Sequence, residues 1–263
     1  MRATSTHAAV RLPNLAGTIF ALYLLVSLVW LSGCGSSNPY PPGSFDRGYR
    51  FYERGNHLQA VNEFETFVRQ NPTDSLAARA QYLKATSYLQ MKEYPLAVVE
   101  LQIMRKDYPS SELVEDAYFQ EGVAYFEQVG DIGRDISGVY NARQLFAQYL
   151  QLYPMGKHAA GAQEYLTDIS DIIVRKKLRS ADVYRHLGQL DAVSIVLENV
   201  LAAETDTRMT DLVLLELGKN YEKLREWMQA AQAYQRIITE YPESSLRKQA
   251  EKRLKRVNDK LEQ

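Results

Sequence analysis

A repeated spacing of a small residue, a large residue and a proline is the feature that most constrains the fold of this chain. In four segments an alanine is followed four residues later by a large side chain, and eight residues after that by a proline. A small residue lets two helices approach closely, the large one fills the space between them, and proline ends the helix. The spacing therefore predicts the second helix of a repeated helix pair. The four segments are Ala60, Phe64 and Pro72; Ala97, Leu101 and Pro109; Ala142, Phe146 and Pro154; and Ala230, Tyr234 and Pro242.

A matching pattern upstream of these alanines predicts the first helix of each pair. A fifth, weaker copy carries Ala192 and Val196, with Glu204 at the proline position. The first two alanines are 37 residues apart, close to the period of about 34 residues in tetratricopeptide repeats. Since no segment shows the strict alternation of a strand, we expect an all-α, right-handed solenoid of about five tetratricopeptide-like helix pairs. The upstream residues are Gly48 and Phe51, Ala85 and Tyr88, Gly122 and Tyr125, and Gly218 and Tyr221.

The third unit is longer than the others. Between Gly122 and Ala142 it has eight more residues than the corresponding stretch of the first two units, and these fall within "EQVGDIGRDISGVY". An insertion between the helices of one unit projects as a loop from one face of a solenoid. Such a loop is either a tolerated surface feature or a contact for a partner.

The start of the chain has the layout of a secretory signal. Arg2 and Arg11 precede residues 15–31, "LAGTIFALYLLVSLVWL", a stretch of seventeen uncharged and largely apolar residues. The "LSGC" that ends at Cys34 resembles the bacterial lipobox, in which the cysteine thiol receives a diacylglyceryl group before cleavage. Cys34 is the only cysteine of the chain, so no internal disulfide is available. The alternative is an uncleaved signal anchor beside an unmodified Cys34.

These features divide the chain into four parts. We expect a lipoprotein signal peptide over residues 1–33, and the lipidated Cys34 with a flexible linker over 34–44. N-terminal units one to three then occupy 45–154, and C-terminal units four and five with a capping helix occupy 155–263. Three prolines in the linker favour an extended spacer. The formal net charge of the whole chain is -1, which gives no basic surplus to attract nucleic acid.

In this combination the chain resembles the BamD (ComL-type) family of outer-membrane lipoproteins. The resemblance is carried by the lipobox, the linker, five repeat units, "YP" endings at 108–109, 153–154 and 241–242, and "GRD" at 133–135 before "ARQLFAQYLQLYP". The stretch "VRKKLRSADVYRHLGQLDAVSIVLENVL" is similar to the fourth unit of that family. Two departures are the missing proline of the fourth unit and "PMGKHAAGA" at 154–162.

The resemblance implies a non-enzymatic subunit of the β-barrel assembly machinery, anchored by lipid at the periplasmic face of the outer membrane. Gly35 and Ser36, with no aspartate after the cysteine, imply outer rather than inner membrane by resemblance to bacterial sorting rules. The implied partners are the periplasmic domains of a BamA-like β-barrel protein, other lipoproteins of the complex, and unfolded outer-membrane proteins. In the family, the carboxyl-terminal repeats dock BamA and the amino-terminal repeats receive substrate.

The first helix of a tetratricopeptide unit lines the concave face, with positions 5, 9 and 12 towards the groove. With each alanine at position 20, the last unit places Leu215, Lys219 and Glu222 there, so the groove changes from aromatic to charged along its length. Its aromatic part suits an extended peptide that is apolar or ends in an aromatic residue. Alternatively, these rings pack against the second helices or the next unit. The predicted peptide-binding groove consists of Phe45, Tyr49, Tyr52, Tyr82, Leu89, Phe119 and Phe126.

The sequence shows no pattern typical of catalysis or metal binding. His57, His158 and His186 are widely separated, and the chain lacks H-E-x-x-H, a glycine-rich phosphate loop and G-x-S-x-G. We therefore expect no enzymatic activity, no metal and no cofactor. Two other functions fit the same repeats: an envelope scaffold for cell division or peptidoglycan synthesis, and a lipoprotein that binds glycan or peptidoglycan through the aromatic groove.

Overall fold

The computed structural model describes residues 39–129 and 135–263. Within these ranges the chain forms eleven α-helices and no strand. The predicted signal peptide, Cys34 and most of the linker lie outside the described residues, as does part of the insertion. The helices are α1 (Phe45–Glu53), α2 (His57–Gln70), α3 (Ala77–Gln90), α4 (Tyr94–Asp107), α5 (Val114–Glu127), α6 (Ser137–Leu152), α7 (Ala159–His186), α8 (Leu190–Ala203), α9 (Thr210–Leu224), α10 (Trp227–Glu240) and α11 (Arg247–Leu261).

The helices pack in chain order. Each one contacts the next from α1 to α11, giving five pairs with α11 covering the last of them. The predicted all-α solenoid of tetratricopeptide-like helix pairs is therefore confirmed. None of the described helices combines the length and the apolar character needed to cross a bilayer.

The interior of each pair contains a matched small and large residue. Where the second helix carries an aromatic ring, the first helix has glycine, and a methyl group at that glycine would lie 2.5–2.8 Å from the ring. In the second pair Leu101 replaces the ring and Ala85 replaces the glycine, and both are buried. In the fourth pair Leu197 and Ala181 do the same. The size of one residue thus sets the size of the other. The three pairs with glycine are Gly48 with Phe64, Gly122 with Phe146, and Gly218 with Tyr234.

The fourth pair follows this arrangement in a register one residue later than predicted. The buried positions of α8 include Val193 and Leu197, whereas Ala192 and Val196 are only partly buried, so the assignment of the pair to Ala192 and Val196 was wrong. Val193 occupies the position that is alanine in the other units, so the sequence pattern was matched to the neighbouring Ala192 instead. In the corrected register Glu204 is the residue that closes α8, and not the counterpart of the terminal proline.

Helix α7 is twice as long as the first helices of the second and third pairs. It has 28 residues, whereas α3 and α5 have 14 each. Its first half packs against α6 through Ala162 and Ile169, and its second half packs against α8 through Val174 and Ala181. One unbroken helix therefore joins the third unit to the fourth.

The residues just before α1 are held against the first pair. The carboxylate of Glu63 on α2 accepts hydrogen bonds from the backbone N–H of Gly43 and from Arg47 Nε, the latter at 2.7 Å. Arg47 Nη1 also donates to the backbone carbonyl of Tyr40 at 3.0 Å. The end of the segment predicted as a flexible linker is thus fixed to the solenoid.

Buried polar contacts hold the loop between α8 and α9, where the terminal proline is missing. Asp171 on α7 accepts hydrogen bonds from the Thr207 hydroxyl and from the backbone N–H and Nε of Arg208, the last two at 2.9 and 2.8 Å. Glu204 forms an ion pair with Arg143 of α6. These contacts tie the loop to both α6 and α7.

The stability contributed by Asp171 depends on pH. Burial alone would raise the pKa of Asp171, but the hydrogen bonds from Thr207 and Arg208 outweigh burial and hold the pKa below its usual value. A carboxyl group with a lowered pKa stabilises the fold above its unfolded pKa of about 4, and this contribution is lost as pH falls through the folded value. We expect Asp171→Asn to reduce the free energy of unfolding by about 1.5 kcal/mol at pH 7.

Urea unfolding at neutral and acidic pH measures this effect. The difference between Asp171→Asn and the wild type should shrink as the pH is lowered below about 4. Asp259→Asn, at an exposed position of α11, is the control and should change stability little at either pH. An equal loss at both pH values would contradict the assigned role of the Asp171 carboxylate.

Candidate peptide-binding groove

The three predicted groove residues of α1 have different environments. Phe45 is 7% exposed, and its ring centroid lies 5.8 Å from that of Phe64, so it belongs to the core of the first pair. Tyr49 is half-buried and stacks on Phe45 with centroids 6.0 Å apart. The rings of Tyr52 and His57 are nearly perpendicular, with centroids 5.6 Å apart. Of these rings, Tyr49 and Tyr52 keep part of their surface accessible.

A cation from the next unit lies over this end of the groove. The Arg79 guanidinium on α3 is 5.5 Å from the Phe45 ring centroid and 5.2 Å from that of Tyr49. Guanidinium groups are attracted to aromatic faces at such distances. The first helices of units one and two are therefore connected by a cation–π contact on the predicted groove.

The two predicted residues of α3 are half-buried. Tyr82 packs beside the cluster that contains Leu101, and burial, together with the negative charge of Asp116, raises its pKa. Its phenol is therefore protonated and uncharged at neutral pH. Leu89 packs beside the cluster that contains Val98.

The two predicted residues of α5 belong to an aromatic cluster that joins the third and fourth units. The Phe119 ring lies 5.7 Å from Phe146 and stacks on His158 at 4.3 Å. Tyr165, on the first half of α7, receives both predicted rings, with Phe119 at 5.9 Å and Phe126 at 5.0 Å. Phe119 and Phe126 are thus brought together through a third ring on the next helix.

Tyr165 was not predicted from the sequence. It lies on the part of α7 that exceeds the usual helix length. Groove positions counted backwards from the alanine of the fourth unit do not reach this part. Counting forwards from the start of α7, as for α3 and α5, would have placed Glu164 and Asp168 at groove positions 5 and 9. The sequence feature that could have revealed the start of α7 is the regular distance between each terminal proline and the next helix.

Two acidic residues at the start of α5 fix the loop that precedes α7. Glu115 accepts hydrogen bonds from the Tyr149 hydroxyl at 2.7 Å and from the Lys157 backbone N–H at 2.8 Å. The Asp116 carboxylate lies 2.6 Å from His158 Nε2 and 2.7 Å from Lys157 Nζ. Burial and the hydrogen bond to Glu115 raise the pKa of Tyr149 to about 12. These contacts hold His158 in its stack on the aromatic cluster.

The C-terminal part of the groove is charged. A cavity of about 360 Å³ lies among α7, α9 and α11. Within it, Glu216 pairs with Arg185 at 3.0 Å and with Lys219 at 2.7 Å, while Glu222 pairs with Arg253 at 2.9 Å. Lys219 and Glu222, which the sequence places at groove positions, both line this cavity. The cavity is lined by Arg185, Glu216, Lys219, Glu222, Lys223 and Arg253.

Leu215, which was also expected in the groove, is buried in the core of the last pair with Tyr234 and Ile237. That expectation was wrong, because position 5 of the last unit is covered by neighbouring helices. Across the described ranges, no group of three or more histidine, cysteine or acidic side chains is placed to hold a metal ion.

The stacked helix pairs and the partly accessible rings along their first helices define an α-repeat protein of the tetratricopeptide type. Residues 40–228 match the family described as "YfiO: Outer membrane lipoprotein". The chain belongs to this family.

Its relatives are distant in sequence. An outer membrane protein assembly factor BamD of Caulobacter vibrioides is 24% identical over 169 residues, which cover 64% of this chain and 55% of the relative. The protein of the same name in Neisseria meningitidis serogroup A is 24% identical over 201 residues, covering 72% of this chain and 74% of the relative. The chain thus spans about half the length of the first relative and about three quarters of the second.

Solved structures of repeat proteins superpose only loosely. A thermophilic TPR protein of Thermus thermophilus has 19% identity and a TM-score of 0.35, covering 80% of this chain and 96% of that chain. Nearly identical TPR-like repeats from Podosopora anserina have 14% identity and a TM-score of 0.36, covering 72% of this chain and 89% of that chain. The fold assignment therefore depends on the helix pairs of the chain itself.

Proposed function

We propose that this chain is a non-catalytic, lipid-anchored subunit of the machinery that assembles β-barrel proteins in the outer membrane. The observation that carries the proposal is the family match over residues 40–228, supported by relatives named outer membrane protein assembly factors. In this proposal, acylation of Cys34 anchors the protein at the periplasmic face. The segment that follows leads to Gly43, which is fixed to α2.

The two ends of the solenoid have different proposed partners. The N-terminal units receive unfolded outer-membrane proteins along the aromatic groove, because partly accessible rings offer large contact area at low entropic cost. The C-terminal units dock the periplasmic domains of a BamA-like barrel protein, and other lipoproteins of the complex bind alongside. The charged cavity around Glu216 and Glu222 supports this division, since paired charges there can exchange partners with a charged protein surface. The proposed groove residues are Tyr49, Tyr52, Tyr82, Leu89, Phe119 and Phe126, whereas Phe45 lies in the core beneath Tyr49.

Affinity purification from membranes tests the proposed complex. A C-terminally tagged chain is solubilised in mild detergent, and mass spectrometry identifies both the co-purifying proteins and the modification of Cys34. We expect a β-barrel protein with periplasmic domains and an acylated cysteine. The matched control is Cys34→Ser, which cannot be acylated and should therefore keep the uncleaved residues 1–33. Recovery of division or cell-wall enzymes alone would contradict the proposal, and an unmodified Cys34 would contradict the anchor.

Peptide binding tests the groove. A fluorescent peptide copied from the final strand of a barrel protein, ending in an aromatic residue, is titrated with the purified chain and followed by anisotropy. We expect Tyr49→Ala and Phe126→Ala each to weaken binding about tenfold, because each removes an aromatic contact face. Tyr140→Ala is the control, since this exposed tyrosine lies on α6 rather than on a first helix. Equal effects of all three substitutions would contradict the groove.

A further inference from the structure

A pocket of about 350 Å³ opens between the end of α5 and the first half of α7. Its walls are the rings of Phe126 and Tyr165, whose centroids are 5.0 Å apart with planes at 70°. Phe126 is a proposed groove residue, so the pocket adjoins the aromatic groove. The lining residues are Phe126, Glu127, Gly161, Glu164, Tyr165 and Asp168.

Three carboxylates surround these two rings. Glu127 and Glu164 are exposed, and Asp168 forms an ion pair with Arg208. Tyr94 also donates a hydrogen bond to Glu127, at 3.5 Å. With one guanidinium against three carboxylates, these four charged groups carry an excess of two negative charges.

The carboxylates lie close enough to act on the Tyr165 phenol. Burial raises the pKa of Tyr165, and the negative charges of Glu127, Asp168 and Glu164 raise it further. The phenol is therefore protonated at neutral pH, and the ring is an uncharged π surface. The pocket thus combines two aromatic surfaces with a negative electrostatic potential.

This combination matches the chemistry of a cationic side chain. A lysine or arginine head group is attracted to aromatic rings and forms charge-assisted hydrogen bonds to carboxylates. Its apolar stem packs on the rings while the head group stays near water. An acidic side chain is repelled, and a neutral polar one loses hydration without gaining an ion pair.

We propose that this pocket binds a lysine or arginine side chain of the peptide that occupies the groove. The inference rests on the proposed function, because it assumes that the groove holds a peptide. It adds a requirement for a basic residue to the aromatic and apolar preference of the rest of the groove. The charge complementarity of the pocket carries the inference.

Matched peptides test the proposal. One set of fluorescent peptides shares an aromatic C-terminus and carries a single arginine at successive positions, and each peptide has a twin in which citrulline replaces arginine. Citrulline keeps the shape and removes the positive charge. We expect one arginine position to bind about tenfold more tightly than its twin, with a difference that shrinks as salt is added.

The variant Glu127→Gln with Glu164→Gln should reduce binding of that arginine peptide to the level of its citrulline twin. The matched control, Asp259→Asn with Glu262→Gln, removes two exposed acidic groups near the C-terminus and should leave both affinities unchanged. Equal binding of every arginine peptide and its twin would overturn the pocket proposal and leave the peptide groove standing. Failure of all peptides to bind would overturn both.

Discussion

Replacing Arg143 with alanine is expected to lower the free energy of unfolding by about 3 kcal/mol. The Glu204 side chain is only 7% exposed and that of Arg143 is 32% exposed. Besides its ion pair with Glu204, Arg143 donates a hydrogen bond to the Ser170 hydroxyl at 3.2 Å. Without the guanidinium, the Glu204 carboxylate stays buried and uncompensated at the end of α8. We place the loss at the lower end of the range for buried pairs because Arg143 is partly hydrated.

Urea unfolding at pH 7 measures this loss. The matched control is Arg236→Ala, whose ion pair with Glu240 is exposed on both sides, at 46% and 44%, and which should cost less than about 1 kcal/mol. Adding Glu204→Gln to Arg143→Ala should recover part of the stability, because it removes the buried charge. If Arg143→Ala costs no more than Arg236→Ala, the pair does not hold the fourth unit in place.

Replacing Gly122 with alanine is expected to cost about 2 kcal/mol of stability. The new methyl group would lie 2.7 Å from the ring of Phe146. That ring is fully buried and also stacks on Tyr165 at 4.7 Å, so it cannot move aside freely. Alanine is favoured over glycine within a helix by up to about 1 kcal/mol, and this gain offsets only part of the steric cost.

A second substitution should rescue the first. Phe146→Leu combined with Gly122→Ala reproduces the matched residues Ala85 and Leu101 of the second pair. We expect the double variant to be more stable than the sum of the two single effects predicts, by at least about 1 kcal/mol. Thermal or urea unfolding of the four proteins in this cycle measures the coupling. Strictly additive effects would show that the two positions do not determine each other.

The helix pairs were predictable because their signal is repeated. Alanine, a large residue and proline recur at fixed distances in four units, so chance agreement at one site matters little. The fourth unit was placed one residue too early because Val193 replaces the alanine and no proline marks the end of α8. The length of α7 was not predicted, because no turn separates the two units that this helix joins. Gly161, near its start, is its only glycine or proline.

The groove was harder to predict than the fold. Helical periodicity indicates which face a residue occupies, but the depth of burial depends on how closely the neighbouring helices approach. Phe45 and Leu215 were assigned to the groove by the same count as Tyr49 and Lys219, yet both are buried. Tyr165 was not predicted, because the part of α7 that carries it has no counterpart in the other units.

The unbroken course of α7 has a mechanical consequence. Tyr165 in the aromatic pocket and Arg185 in the charged cavity are carried by the same helix, 20 residues apart, which corresponds to about 30 Å along its axis. A continuous helix resists bending much more than two helices joined by a turn. A tilt of α7 near Tyr165 therefore also displaces Arg185, so the positions of the two sites are coupled through one helix.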